Sequence, residues 1–127
     1  MFDFADHKAR RFVATVLPFA FWLCMLVVMA LSLAPPSPQL PTTGWDKANH
    51  FSAFMVLCIL GLSAYPLRNA TVLLGLFLYG GQIEALQSIT PDRAAEWLDW
   101  FADAIGIVIG LGMVLLQRRF LVFSKKT

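Results

Sequence analysis

Charge is what this sequence has least of. Asp, Glu, Lys and Arg make up 14% of its 127 residues, against roughly 25% in an average soluble domain, while 58% are apolar or aromatic. A chain this short has too much surface per unit volume to hide that much apolar side chain from water. Folding in water is therefore all but excluded, and lipid is the solvent that remains. Ten basic residues against eight acidic ones leave a net charge of +2. With no basic stripe, that balance argues against a nucleic-acid partner.

Cysteine is also scarce. Cys24 and Cys58 both lie in uncharged apolar stretches, where a free thiol behaves as a small hydrophobe. They read as fillers, with a disulfide as the lesser alternative. Signatures of nucleophilic hydrolysis are missing too: there is no Gly-x-Ser-x-Gly, no catalytic cysteine beside a histidine and no phosphate-cradling glycine loop. Gly80-Gly81 falls inside a helical pattern and reads as a place where two helices approach closely.

What the sequence does have is long apolar runs. Phe12 to Ala34 is 23 residues without a charge, enough at about 1.5 Å per residue to cross a hydrocarbon core of roughly 30 Å. Although it follows the basic cluster at Lys8, Arg10 and Arg11, it is longer than the roughly 7–15 residues of a signal-peptide core. Pro35-Pro36 also directly follow the small-residue site that would be cleaved, so cleavage is not expected. A proline-rich loop runs from Pro35 to Trp45. Three further helices follow, less apolar than the first because Lys47, His50, Glu84 and Asp103 are embedded in them. The expectation is one domain over residues 1–127, an all-α polytopic membrane protein built as a four-transmembrane-helix bundle. Its helices are placed at about 12–34, 47–66, 69–89 and 98–117.

Four spans with a cytoplasmic N-terminus sort the charges. Lys8, Arg10, Arg11, Arg68, Arg118, Arg119, Lys125 and Lys126 fall inside, and only Lys47 and Arg93 outside, which is the bias that orients inner-membrane proteins. The expected localisation is the cytoplasmic (inner) membrane with both termini cytoplasmic. Trp45, Trp97 and Trp100 fall at the outer interface, where indole rings prefer to sit. Trp22 falls near the midplane instead and requires a neighbouring helix to pack against.

The acidic residues have the opposite bias. Asp46, Glu84, Asp92, Glu96, Asp99 and Asp103 gather at the outer side, joined by Lys47, His50 and Arg93. Helical spacing puts Asp46, His50, Leu57 and Gly61 on one face of the second helix, Gly80, Glu84 and Gln87 on one face of the third, and Asp99, Asp103, Gly106 and Gly110 on one face of the fourth. An ionised carboxylate at the bilayer centre costs about 2.5–3.5 kcal/mol and less near the interface. Glu84 and Asp103 therefore need compensation: Arg93, Lys47 and His50 are the available cations, with water or a ligand head group as the other source, and the expected partner is Arg93, the cation in the short loop joining the third and fourth helices. His50, Glu84 and Asp103 are the candidates for proton transfer or catalysis. Asp46, Lys47, Gln87, Arg93 and Asp99 are the candidates for ligand binding. No cofactor and no metal is assigned, although one histidine among carboxylates would suit a hard ion such as Mg²⁺ or Ca²⁺ better than zinc.

The ordered motifs Asp46-Lys47-x-x-His50-Phe51, Glu84-x-x-Gln87, Arg93, Asp99 and the glycines Gly106 and Gly110 resemble the VanZ-like family over roughly Leu31 to Gly110. These are small multi-span membrane proteins named for a member associated with resistance to the glycopeptide antibiotic teicoplanin. The resemblance implies that Asp46, Lys47, His50, Phe51, Glu84, Gln87, Arg93 and Asp99 are signature positions. Asp103 departs from it, standing where the family usually has asparagine. The functional expectation is an outer-side polar cleft that binds, and in one version modifies, a lipid-linked envelope precursor or other anionic head group, with Lys47 and Arg93 holding the anion. The alternatives are a non-enzymatic accessory or scaffold protein whose polar cluster is structural, and an ion pathway, which the apolar inner halves of the helices disfavour.

Overall fold

A computed structural model of the chain describes residues 4–35, 37 and 45–124. Most of the expected proline-rich loop lies outside the described residues. Helix α1 covers Phe4–Leu33, α2 Asp46–Ala64, α3 Asn69–Gln87 and α4 Trp97–Ser124, and no strand occurs among the described residues.

The helix ends show what hydropathy can and cannot mark. α1 starts eight residues before the expected position and α4 runs seven residues beyond it. Lys8, Arg10, Arg11, Arg118 and Arg119 mark where lipid ends, but Lys and Arg are good helix formers and do not stop a helix. True stops come from backbone chemistry. α2 ends at Ala64 because Pro66 disfavours helical geometry in the residue before it, and the Tyr65 N–H closes the last turn on the Gly61 carbonyl at 2.9 Å. α3 ends at Gln87, two residues earlier than expected. There the Ser88 and Thr90 hydroxyls donate to the carbonyls of Ala85 and Leu86, at 2.6 and 2.7 Å, which satisfies acceptors that a further turn would have used.

α1, α2 and α4 are long and apolar enough to cross a membrane. α3 has the 19 residues of α2 but carries Gln82, Glu84 and Gln87. The surface is the inverse of a soluble protein's: Phe12, Phe19, Leu26, Leu74, Leu78, Val108, Leu116 and Phe120 are all exposed. This is a membrane protein.

α2 is the central element. It packs along α4 and also meets α1 and α3, whereas the backbones of α1 and α4 do not approach each other closely among the described residues. Phe54, Leu57, Cys58 and Leu62 of α2 form the core with Leu76 and Ile83 of α3, Ile107 and Val114 of α4, and Phe21 of α1. The α2–α4 contact is made possible by Gly106 and Gly110. A β-carbon at Gly106 would collide with the Phe51 carbonyl, and one at Gly110 would lie 2.8 Å from the Met55 carbonyl. Both thiols are free, as expected, and Cys58 Sγ donates to the Ile107 carbonyl at 3.3 Å.

Among the described side chains of α1, those packed into the core come from its second half, Phe21, Cys24, Met25, Val28 and Met29. Tyr79 donates to the Met25 carbonyl at 2.6 Å, and Trp22 Nε1 donates to the Tyr65 hydroxyl at 2.9 Å. Trp22 therefore sits at the level of the α2–α3 turn, not at mid-depth, and its polar edge has a partner. It lies edge-on to Phe21, which is in turn edge-on to Tyr65.

Candidate functional site

The end of the bundle opposite the α2–α3 turn collects the first turns of α2 and α4, the last turn of α3 and the α3–α4 loop. Aligned peptide dipoles make both helix N-termini partly positive. That suits the acids placed there, Asp46 at the start of α2 and Glu96 and Asp99 at the start of α4.

His50 and Asp103 are the deepest pair. His50 is 6% exposed and Asp103 not at all, and Nδ1 lies 2.9 Å from Oδ1. The polar face drawn from helical spacing on α4 is confirmed throughout, since Asp99, Asp103, Gly106 and Gly110 are all buried. Across from them, Gly80 of α3 leaves room for Asp103: a β-carbon there would lie 2.6 Å from Asp103 Oδ2. The close approach expected of Gly80-Gly81 is thus to Asp103 and to Trp100, whose indole donates to the Phe77 carbonyl at 2.9 Å.

A second network lies closer to the surface. Lys47 Nζ is 2.6 Å from Glu96 Oε2 and 3.2 Å from Asp99 Oδ1. The Glu96 backbone N–H donates to Glu84 Oε2 at 2.9 Å, so Glu84 ties the last turn of α3 to the start of α4. Glu96 is one of the outer acids of the sequence but is not among the site residues expected from it. The available signal was its position immediately before the fourth helix, where a residue's backbone N–H is free to be bound.

Two expectations are corrected. Arg93 does not pair with Glu84 or Asp103. Its Nε donates to the Ala34 carbonyl at 2.8 Å and its Nη2 to the Leu31 carbonyl at 2.9 Å, capping the negative end of the α1 dipole. The partner of Asp103 is His50. Gln87 likewise turns to α1, donating to the Ser32 carbonyl at 2.9 Å. With Arg93 on α1 and Lys47 between two carboxylates, both expected anion-holding cations are already engaged.

Four buried oxygens receive no hydrogen bond, Glu84 Oε1, Gln87 Oε1, Asp99 Oδ1 and Asp103 Oδ2, although the Lys47 ammonium lies 3.2 Å from Asp99 Oδ1. All four are acceptors, so the site lacks donors. For a metal, the relevant group is Asp46, His50 and Asp99, whose ligand atoms all lie within 4.8 Å of one another.

Comparison with curated proteins and with solved structures gave no match. The model of the family described as VanZ/LLP1 matches residues 4–118, which takes in α1, α2, α3, α4 as far as Arg118 and every residue of the site. The chain belongs to the VanZ/LLP1 family.

Proposed function

We propose that this membrane protein binds the head group of an envelope lipid, such as a lipid-linked cell-wall precursor, at the end of the bundle where α2 and α4 begin. In this reading that end faces away from the cytoplasm, in a bacterial inner membrane, with both termini on the cytoplasmic side. The observation that carries it is the buried acceptors that receive no hydrogen bond at this end, with Glu84 Oε1 and the Oδ2 of the His50–Asp103 pair among them. Leaving such an oxygen without a donor costs about 1–3 kcal/mol, a cost that a ligand rich in hydroxyl or amine donors would remove. This shifts the recognised part of the head group from its anionic portion to its donor-bearing portion, because Lys47 and Arg93 are engaged elsewhere. His50, oriented by Asp103, is then the group that exchanges a proton with the bound head group, and Glu84 is the nearby acid. The rival reading, a structural cluster in an accessory protein, is favoured by one observation: Arg93, Gln87 and Lys47 all make bonds that join segments of the bundle. Lipid extracted with the purified full chain and identified by mass spectrometry separates the two. Enrichment of one lipid class with hydroxyl- or amine-bearing head groups supports binding, and the bulk membrane composition supports the structural cluster.

A further inference from the structure

We propose that Asp46, His50 and Asp99 form a binding site for one divalent metal ion, held between the first turns of α2 and α4. This goes beyond head-group binding and does not depend on it.

The geometry fits a common ligand sphere. One nitrogen and two carboxylate oxygens lie within 4.8 Å of one another, and two donors bound to the same ion at about 2.0–2.6 Å can be no further apart than about 5 Å. Two independent features point to a ligand. The first is Asp99, which is 1% exposed and whose Oδ1 meets no donor other than the Lys47 ammonium. Its opposite charge is the Lys47 ammonium at 3.2 Å, and that ammonium is closer to Glu96, at 2.6 Å. Lys47 can therefore keep Glu96 when a cation takes Asp99. The second is the orientation of His50. Its Nδ1 faces the fully buried Asp103 carboxylate at 2.9 Å, which fixes the ring; in the neutral tautomer that donates from Nδ1 to this carboxylate, Nε2 is the nitrogen that carries the lone pair. Metal-bound histidines characteristically have this carboxylate support on their other nitrogen.

The local charge balance points the same way. Among the described residues, the cations at this end that face Asp46, Glu84, Glu96, Asp99 and Asp103 are Lys47 and His50, since Arg93 is committed to α1. An excess of carboxylates at the edge of a low-dielectric medium is stabilised by a bound cation. One imidazole with two carboxylates and no thiolate suits Mn²⁺, which accepts nitrogen and oxygen donors together, better than the softer ions that thiolates select.

The test uses Mn²⁺ alone, with no lipid added. Full-length protein in detergent is stripped with a chelator and titrated with Mn²⁺, and free Mn²⁺ is read by electron paramagnetic resonance. The expected result is one ion per chain. Asp46 is exposed, so Asp46→Asn leaves the fold intact and should weaken binding by at least about tenfold, the scale on which metal sites respond to altered ligation. Lys47→Gln removes the competing ammonium and should tighten binding. Absence of stoichiometric binding, unchanged affinity in Asp46→Asn, or equal or weaker binding in Lys47→Gln would each overturn the site. Because the readout contains no lipid, its failure leaves head-group binding to be judged by its own experiment.

Discussion

Replacing Gly106 with alanine adds one methyl group where α4 meets the backbone of α2. The new β-carbon would strike the Phe51 carbonyl and lie 3.0 Å from the Met55 amide nitrogen. Neither is a side chain that can rotate away, so α4 itself must move. The neighbouring Gly110 sets the scale: a β-carbon there lies 2.8 Å from the Met55 carbonyl, and the helices must separate by about 0.6 Å to reach ordinary contact. Such a separation opens the interface that buries Cys58, Ile107 and the His50–Asp103 pair. Overpacking of this kind costs about 1–3 kcal/mol. Gly112 provides the internal control, because nothing lies within 4 Å of its β-carbon position. Both substitutions gain the same helix propensity, about 1 kcal/mol, so the difference between them isolates the contact. Unfolding in mixed micelles, followed by circular dichroism, should find Gly106→Ala less stable than Gly112→Ala by about 1–3 kcal/mol. Equal stability of the two variants would refute the backbone-to-backbone packing of α2 and α4.

Arg93→Gln should loosen the attachment of α1 to the α3–α4 loop and cost about 1.5–3 kcal/mol, the range for hydrogen bonds from a charged donor. Its effect should add to that of Asp103→Asn in a double-mutant cycle, since the two residues have separate partners; a coupling energy above about 0.5 kcal/mol would contradict the capping role. Cysteines introduced at Ser37 and Asp92 should react with an impermeant reagent from outside the cell and one at Ser124 should not, and labelling at Ser124 would reverse the proposed orientation.

Side chains whose positions follow from helical period were legible in the sequence. Asp99, Asp103, Gly106 and Gly110 were read as one face from their spacing alone, and all four are buried. His50, Leu57 and Gly61 behave the same way on α2, but Asp46, read on the same face, is exposed because it is the first residue of the helix. Helix ends were less legible because hydropathy reports the lipid boundary, and Arg118 continues α4 past it while donating to the Leu62 carbonyl at 2.8 Å. The partner of Arg93 is hidden from the sequence for a different reason. Charge balance along the sequence favours the nearest acids, but the turn before it, with Asp92 at a φ of 63°, belongs to a loop whose path no periodicity encodes. That path brings the guanidinium to the free carbonyls of α1, an acceptor set invisible in a count of charges. Trp22 shows the same limit, since the depth of an indole in a long apolar run depends on how far the helix overshoots its neighbours.

His50→Gln and Glu84→Gln test most directly whether the buried polar cluster serves a ligand or only the fold. Each keeps most of the side-chain volume and hydrogen-bonding capacity while removing the acid–base range. Thermal stability in detergent and the lipid retained by each purified variant should be measured on the same preparation. Near-native stability with loss of the lipid class enriched on the unaltered protein is the expected result. Failure of both variants to accumulate, with retained lipid unchanged per folded molecule, would contradict a binding role and leave the cluster as a structural lock between α2, α3 and α4.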